Sequence, residues 1–496
     1  MNHSDLEAAS SHTQSSRSLR LSATGYTLLL LTIAAAILRL IFLSSKSFWL
    51  DEGYSAAFAA EPFNELLRQM LRGEMAVYMP LYFVMLHCWS YFAGSSEISL
   101  RLPSVIFSAA TVPLIYALGM ELYDRRVGLM AALLLTVNVS CIVYAQDART
   151  YTMFGMLVTL SSLLFVRSIK RGSLTEYLAY VVVGSLCAYA HLFGILILPA
   201  QWLLLFLFRV DRKTKLRLTA CIAVVALLSL PPIILSIHGE HGEVSWIPAT
   251  SIKTFIYLFA TFAGLYWARV KGLSLFAIYL AVIAIAVLGP SWRERPAVGF
   301  LVLSVALPVG IVLVVSIFKP LFVVRYLLMC QPFFVLLAAI GLTRTKPRSL
   351  MVTITVVIVA LSLSEDRAFY HSWPMQDWRG AVKFVAANAT PGDVLLVFPE
   401  WNRNPVDYYV GHRTRPVDFR VIADRLDSLG GAAGPSNDPA GNLRRFLAAH
   451  GVNSYSRVWV VTDFGGEDAP AVRELEIGHQ VVAGPHLSGI VLTRID

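Results

Sequence analysis

The feature that most constrains this chain is a series of long apolar runs, for example over residues 27–43, 297–318 and 322–342. About 20 apolar residues are enough for a helix to cross the hydrocarbon core of a bilayer. Hydrophobic residues make up 56% of the 496 positions and charged residues 15%, whereas a typical soluble domain has about 25% charged residues. The sequence therefore predicts a polytopic α-helical membrane protein.

The net charge of +9 reflects membrane topology better than nucleic-acid binding, because the basic residues lie between the apolar runs. Basic loops mark the cytoplasmic side of a membrane protein. Apolar length and this charge pattern together predict a cytoplasmic N-terminus and about eleven transmembrane helices, over residues 22–43, 102–121, 127–145, 151–168, 177–190, 192–209, 216–236, 272–289, 297–317, 324–342 and 349–364.

Two further apolar segments, residues 81–92 and 255–267, are predicted to remain on the outer side as juxtamembrane helices. The first is too short to span comfortably. Counting either segment as a crossing would also move later basic clusters, such as Arg125 with Arg126, to the outer side. That placement would contradict the distribution of basic residues expected of cytoplasmic loops.

An odd number of crossings places the C-terminus outside, where the composition becomes that of a soluble domain. The predicted division is a cytoplasmic tail over 1–20, a transmembrane catalytic domain over 21–364 and an extracytoplasmic α/β domain over 365–496. Apolar patterning predicts a helix at 378–388, strands at 394–398, 458–462 and 490–494, and a loop over 430–441.

Two acidic segments fall on the predicted outer face, and each lies at a membrane boundary. Carboxylates bordering hydrocarbon are costly and commonly mark function or pairing. Simpler interpretations remain open: a helix cap for the first pair of acids, a structural ion pair for the second segment, and interfacial anchors for Trp49 and Tyr54. The segments are Trp49-Leu50-Asp51-Glu52-Gly53-Tyr54 and Tyr144-Ala145-Gln146-Asp147-Ala148-Arg149-Thr150-Tyr151.

Such a site has the groups needed for glycosyl transfer from a lipid phosphate. A carboxylate can take the proton of an attacking hydroxyl, and a guanidinium can hold a phosphate through paired hydrogen bonds. A lipid phosphate leaves as a stable anion, so the reaction needs charge stabilisation more than a general acid.

At these residues the sequence resembles the bacterial glycosyltransferase family 39 group, relatives of the protein O-mannosyltransferases and of the aminoarabinose transferase ArnT. The similarity rests on an ordered series of short motifs within about residues 20–410. These are Trp49-Leu50-Asp51-Glu52, Pro80-Leu81-Tyr82, Ser96-Glu97, Leu100-Arg101-Leu102-Pro103-Ser104, the second acidic segment, His191-Leu192-Phe193-Gly194, Arg325-Tyr326-Leu327-Leu328 and Asp377-Trp378-Arg379.

The resemblance implies a GT-C fold, a polyprenyl-phosphate-linked sugar donor, and inverting transfer to a lipid, glycan or protein hydroxyl on the outer face. By analogy Asp51 is the catalytic base and Glu52 lies beside it in the acceptor site, while Asp147 is a second candidate base. The candidate substrate-binding residues are Tyr54, Tyr82, Arg101, Gln146, Arg149 and Arg325. Arg101 and Arg325 are candidates for the donor phosphate, with snorkelling to lipid headgroups as the alternative.

Metal dependence is left open. The family's segment often reads His-Pro-Pro-Leu-Tyr, whereas this chain has Tyr78-Met79-Pro80-Leu81-Tyr82, so a role for that histidine does not carry over. No cofactor is firmly implied, and a divalent metal ion is not excluded. His191 is interpreted as structural, and His238 and His241 with Glu240 and Glu243 as a solvated loop.

The predicted location is the bacterial inner (plasma) membrane, with membrane lipid and the donor and acceptor as partners and no nucleic acid. The alternative function is a transporter or flippase for a lipid-linked glycan. Such a protein needs ionisable residues along its helices, whereas here the predicted helix interiors are nearly free of them, with Arg39 as an exception close to a helix end.

Overall fold

The computed structural model describes residues 22–74, 79–208, 210–238, 247–265, 270–289, 294–372, 375–413, 419–423, 455–463 and 480–495. The predicted tail over 1–20, the loop over 430–441, and Tyr78, Glu240, His241 and Glu243 lie outside these ranges.

Most of the described chain forms a helical bundle. Seven helical segments are long and apolar enough to cross a membrane: Ala23–Leu40, Glu97–Leu122, Tyr151–Arg171, Arg212–His238, Arg295–Ser316, Val324–Arg344 and Arg348–Tyr370. Shorter apolar helices cover Leu174–Ala190, Leu192–Leu207, Ile252–Ala263 and Gly272–Leu288. This architecture confirms the predicted polytopic helical fold, and the number of eleven crossings stays a prediction.

The helices of the bundle are labelled here in chain order. They are α1 (Ala23–Leu40), α2 (Leu50–Ala60), α3 (Phe63–Leu71), α4 (Pro80–Ala93), α5 (Glu97–Leu122), α6 (Arg125–Thr136), α7 (Val139–Val143), α8 (Tyr151–Arg171), α9 (Leu174–Ala190), α10 (Leu198–Leu207), α11 (Arg212–Leu228), α12 (Leu230–His238), α13 (Ile252–Ala263), α14 (Val270–Leu288), α15 (Arg295–Ser316), α16 (Gln331–Arg344) and α17 (Arg348–Tyr370).

Side-chain caps explain why several helices begin where they do. Ser22 accepts a hydrogen bond from Gly25 N at the start of α1, and Ser96 accepts one from Ser99 N at the start of α5. Asp124 does the same for α6 through Val127 N, at 2.8 Å. These caps satisfy amides that the first helical turn leaves without a backbone acceptor.

Four predicted crossings are not single regular helices; the one predicted over 216–236 is divided at Ser229 between α11 and α12. The segment predicted as one helix over 127–145 is broken, because α6 ends at Thr136 and Asn138 caps α7 by accepting from Ser140 N. Turns of 3-10 helix, Leu192–Ile197 and Val324–Cys330, precede α10 and α16. α16 is the central helix, because every residue from Gln331 to Leu342 is buried.

The two segments predicted to be juxtamembrane helices form short helices, and their place at the outer side of the membrane stays a prediction. α4 has 14 residues and α13 has 12, so neither reaches the length of about 20 residues that a perpendicular crossing needs. Trp267, the predicted end of the second segment, lies outside the described residues.

The C-terminal domain is built on a five-stranded mixed sheet with strand order β2-β1-β3-β5-β4. Its described elements are α18 (Trp378–Asn388), β1 (Asp393–Val397), α19 (Arg403–Gly411), β2 (Phe419–Ala423), β3 (Val458–Asp463), β4 (Val481–Ala483) and β5 (Ile490–Ile495). β1 is parallel to β2 and β3, whereas β5 is antiparallel to β3 and β4. The predicted α18, β1, β3 and β5 are thereby confirmed. α17 continues to Tyr370, past the predicted domain boundary at residue 364.

This domain packs directly on the segment that carries the first acidic pair. α19 lies against α2 so closely that a Cβ at Gly53 would come within 2.6 Å of Pro405 Cδ. The Tyr409 hydroxyl accepts a hydrogen bond from Phe48 N at 2.7 Å. The Gln376 side-chain oxygen accepts one from Leu50 N, the first amide of α2, at 2.8 Å. The C-terminal domain therefore helps to hold the first turn of α2 in place.

Candidate active site

Asp51 lies in the first turn of α2 between two guanidinium groups. Its Oδ2 is 3.4 Å from Arg325 Nη2 and 3.8 Å from Arg149 Nη2, and 18% of its side chain is exposed. Within the described chain, this buried oxygen has no hydrogen-bond partner. Asp51 is thus held by charge at its buried Oδ2, while another part of its side chain is exposed.

The two arginines reach Asp51 from different parts of the bundle. Arg149 precedes α8, and its Nη1 also donates to the Asp51 carbonyl oxygen at 3.3 Å. Arg325 lies in the 3-10 turn before α16, and its guanidinium carbon is 5.4 Å from the centre of the Trp49 ring. Trp49 therefore contacts the charged cluster in addition to any anchoring role.

Glu52 makes a different set of contacts from its neighbour. It is almost fully buried and pairs with Arg101 through two hydrogen bonds, Nε to Oε1 at 2.7 Å and Nη2 to Oε2 at 2.6 Å. Its Oε1 also accepts from Ala148 N at 2.9 Å, and its Oε2 from Trp49 N at 3.4 Å. These contacts join the two acidic segments to α5.

The remaining donors of Arg101 hold the backbone ahead of α2. Nη1 donates to the carbonyl oxygens of Leu43 and Lys46, at 2.8 and 2.9 Å, and Nη2 donates to that of Ser47 at 3.4 Å. With the two bonds to Glu52, all five N–H groups of this guanidinium have acceptors. Arg101 is therefore placed as a structural cation rather than as a group open to a phosphate.

Asp147 is half-buried near both acids of α2. Burial raises the pKa of the Asp147 carboxyl to about 8, and the charges of Glu52 and Asp51 add to the rise while Arg101 and Arg325 oppose it. The ion pair between Asp147 and Arg149 considered from the sequence is not formed, since Arg149 pairs with Asp51 instead. We call Arg149 and Arg325, which hold Asp51 between them, the arginine clamp. Asp147 lies beside this clamp without being part of it.

The remaining candidate residues divide between the site and its scaffold. Tyr82 on α4 is fully buried and Tyr54 on α2 partly so. The Gln146 amide donates to the carbonyl oxygens of Arg39 and Ile41, at 3.1 and 2.7 Å, so it caps the end of α1. Gln146 is thus occupied by the backbone.

His191, interpreted from the sequence as a structural residue, packs among aromatic rings. Its Nδ1 accepts a hydrogen bond from Phe193 N, and its ring stacks on Phe154 at 5.2 Å between centroids. The ring also lies 4.8 Å from that of Tyr326, beside Arg325. The histidine therefore packs behind the arginine clamp.

Six of the sequence motifs are connected through ion pairs. Glu52 of the first acidic segment pairs with Arg101. Glu97 pairs with Arg379 at 2.7 Å, which joins the start of α5 to the start of α18. Asp51 meets both Arg149 and Arg325. Residues separated by hundreds of positions in the sequence thus form one site.

A metal ion has no ready set of protein ligands in the described ranges. No group of three or more His, Cys, Asp or Glu side chains is placed there to hold one. Around Asp51 the positive charge is supplied by Arg149 and Arg325 instead.

Several residues that shape the site were not identified from the sequence. Gln376 bridges Leu50 N and Asp463 Oδ2, and Tyr409 and Pro405 pack the soluble domain against α2. Only Gln376 had a local signal, because it directly precedes the Asp377-Trp378-Arg379 motif. Pro405 and Tyr409 lie on α19, which was not predicted.

Comparisons with known proteins bear on the family and on the fold. Residues 78–235 match a family described as dolichyl-phosphate-mannose-protein mannosyltransferase. No curated protein matches the sequence significantly. The structure of ArnT from Cupriavidus metallidurans bound to undecaprenyl phosphate is similar, with a TM-score of 0.62 and 14% identity over 95% of this chain and 98% of ArnT.

Two other solved structures are similar over most of this chain. The apo oligosaccharyltransferase of Archaeoglobus fulgidus has a TM-score of 0.56 and 13% identity, over 94% of this chain and 74% of its own. The mycobacterial arabinofuranosyltransferase AftD has a TM-score of 0.52 and 15% identity, over 96% of this chain and 42% of its own. The resemblance predicted from the motifs is confirmed: residues 78–235 match the mannosyltransferase family, and the chain has the GT-C fold of these membrane glycosyltransferases.

Proposed function

We propose that this protein is a membrane glycosyltransferase that moves a sugar from a polyprenyl-phosphate donor to a hydroxyl of an envelope lipid, glycan or protein. The family match supports the reaction class. Two of the similar structures are described as bound to undecaprenyl phosphate and in complex with dolichol-phosphate, which supports the donor class. We place the reaction on the extracytoplasmic face of the bacterial inner membrane, with inversion at the anomeric carbon.

The observation that carries the proposal is the arginine clamp around Asp51. Asp51 is a partly exposed carboxylate held by two arginines, whereas the adjacent Glu52 is sealed by Arg101. Within the described chain, Asp51 Oδ2 and Arg149 Nε are buried atoms without a hydrogen bond. Buried polar atoms of this kind call for an explanation, and a bound phosphate and hydroxyl would satisfy both.

The reaction then needs only groups already in place. Arg149 and Arg325 hold the donor phosphate by charge-assisted hydrogen bonds. The acceptor hydroxyl attacks the anomeric carbon, the bond from that carbon to the phosphate oxygen breaks, and polyprenyl phosphate leaves as an anion. Asp51 takes the hydroxyl proton as the new glycosidic bond forms.

The clamp also gives an order to the steps. In the resting arrangement the arginines neutralise Asp51. A donor phosphate competes for the same guanidinium donors, so its binding makes the carboxylate available to an acceptor. We therefore propose that donor binding precedes proton transfer, which limits wasteful reaction with water.

Other candidate residues take supporting roles in this scheme. We propose that Glu52 and Arg101 position the two acidic segments, because their hydrogen-bonding groups are already used. Asp147 is the second candidate base, and we propose that Tyr54 and Tyr82 line the substrate path.

The test compares Asp51→Asn, Asp147→Asn and wild type for release of polyprenyl phosphate from a panel of labelled donors with envelope acceptors. Loss of a general base lowers a rate by about 10²–10⁴-fold, and we expect that loss for Asp51→Asn. Glu65→Gln is the matched control, because Glu65 pairs with the exposed Arg68 on α3. Wild-type turnover in Asp51→Asn, or a greater loss in Asp147→Asn, would refute Asp51 as the base.

The same assay separates transfer from transport, because a flippase would release no polyprenyl phosphate. The structure also gives a role to Arg39, the exception noted in the sequence analysis. Arg39 donates to Ser108 Oγ at 2.7 Å and to the carbonyl oxygens of Ala35, Leu135 and Thr136. Its position in the bundle is that of a structural cross-link between α1, α5 and α6.

A further inference from the structure

An open space lies between the helical bundle and the C-terminal domain. It is a cleft of about 460 Å³, within the size range of ligand pockets. The loop after α1, the end of α17 and the start of α18 form its walls, and its lining includes Ser45, Lys46, His371, Ser372, Arg379 and Lys383.

We expect the cleft to lie at the membrane boundary, because two long apolar helices end beside it. α1 ends at Leu40 and α17 at Tyr370, and both are long apolar helices that lead up to it. Phosphates of membrane lipids lie at this depth, just beyond the hydrocarbon core. An occupant from the membrane therefore needs no passage through the protein.

The lining is mainly cationic. The positively charged residues of the lining are Lys46, Arg379 and Lys383, and its one carboxylate is that of Asp377. His371 also lines the cleft. Asp377 already caps α18 by accepting from Gly380 N at 2.9 Å, and Arg379 pairs with Glu97 outside the lining. Hydroxyl groups of Ser45 and Ser372 add donors suited to phosphate oxygens.

Lys46 is held in place for such a ligand. Its Nζ donates to the carbonyl oxygen of Phe369 at 2.7 Å and to Ser372 Oγ at 2.8 Å. Burial lowers the pKa of Lys46 to about 8, with a smaller lowering from Arg101 and an opposing effect from Asp147. A bound anion would favour the charged ammonium and so relieve this cost.

Exposed apolar side chains lie at the rim of the cleft and on the two helices that end beside it. Phe42, at a positive φ of 56°, is exposed and its ring lies 5.9 Å from that of Tyr370 at the rim. Apolar side chains are also exposed on α1 and α17: Ile33, Ile37, Leu40, Val352, Val356 and Leu363. Acyl chains can cover such a surface, whereas water cannot do so without a hydrophobic penalty.

We propose that this cleft binds the phosphate headgroup of an anionic phospholipid whose acyl chains lie along α1 and α17. The cleft is separate from the arginine clamp, because the loop between α1 and α2 lies between the two. Arg101 holds that loop through the carbonyl oxygens of Leu43 and Lys46 while it pairs with Glu52. The lipid would therefore brace the loop from its other side.

The experiment uses the full-length protein purified in a neutral detergent and titrated with phosphatidylglycerol, with bound lipid counted by native mass spectrometry. Lys383→Gln is the main variant, because Lys383 is exposed and its loss leaves the packing intact. Lys46→Gln is the second variant. Lys319→Gln is the matched control, since Lys319 is an exposed lysine that follows α15, away from the cleft. Inorganic phosphate and polyprenyl phosphate are added as competitors.

A lysine beside anionic lipid contributes about 1 kcal/mol, so each cleft variant should weaken phosphatidylglycerol binding about fivefold, while Lys319→Gln binds like wild type. Equal binding by Lys383→Gln and Lys319→Gln would overturn the proposal. Displacement of the lipid by inorganic phosphate at similar concentration would identify a free-phosphate site instead. A matching loss of polyprenyl-phosphate binding in Lys383→Gln would assign the cleft to the donor and also overturn it.

Discussion

The tight packing of α19 on α2 predicts a large effect from a small change, Gly53→Ala. The added Cβ would lie 2.6 Å from Pro405 Cδ, 2.7 Å from Pro405 N and 3.0 Å from Pro405 Cα. Two of these atoms belong to the backbone, so relief requires movement of α19 or α2 rather than of a flexible side chain. α2 carries Asp51 on the same helical turn.

The expected magnitude is a balance of two effects. Alanine favours a helix over glycine by about 1 kcal/mol, and overpacking costs about 1–3 kcal/mol. The net loss of unfolding free energy should therefore be small, at most about 2 kcal/mol. The effect on the transfer rate should be larger, a fall of about tenfold to a hundredfold, because a displacement of about 1 Å in a reacting group strongly slows the reaction.

The assay measures the thermal unfolding of the purified protein and its transfer rate side by side. Gly310→Ala in α15 is the matched control, because a Cβ there meets no atom within 4 Å. Pro405→Ala in the Gly53→Ala background should restore part of the rate, since it removes the contact with Cδ but leaves the backbone contacts. A Gly53→Ala protein that unfolds and turns over like Gly310→Ala would refute the close docking of the two domains.

Three further predictions follow from the site. Glu52→Gln should leave the buried Arg101 uncompensated and cost about 3–5 kcal/mol, seen as loss of monodisperse protein in size-exclusion chromatography; a yield equal to that of Asp51→Asn would contradict this. Tyr409→Phe removes the acceptor of Phe48 N and should cost about 1–3 kcal/mol of unfolding free energy, whereas Tyr91→Phe at an exposed position should cost nothing measurable in the same thermal unfolding assay. The pKa of Asp147 is raised to about 8 in the folded state, whereas an unfolded aspartate loses its proton from about pH 4 upward. The wild type should therefore lose stability relative to Asp147→Asn as the pH rises from about 5 to 8. Unfolding temperatures of the two proteins that change in parallel with pH would contradict this.

The fold was largely predictable because its main determinants are local. Runs of apolar residues predicted the long apolar helices, and short apolar segments flanked by turn residues predicted β1, β3 and β5. The errors in the predicted secondary structure also have local causes. The break between α6 and α7 follows from the Asn138 cap inside an apolar run, and β2 and α19 lack a strong pattern in the sequence.

The site was predictable only as a set of motifs, and the tertiary structure assigned the contacts within it. Asp51 and Glu52 are neighbours of the same chemical type, and nothing local distinguishes them. Successive residues on a helix point about 100° apart, so one faces Arg149 and Arg325 while the other is sealed against Arg101. The sequence by itself determined that acids and arginines gather at one end of an apolar bundle. Which carboxylate remains open was decided by partners up to hundreds of residues away, because burial and ion pairing depend on positions in space.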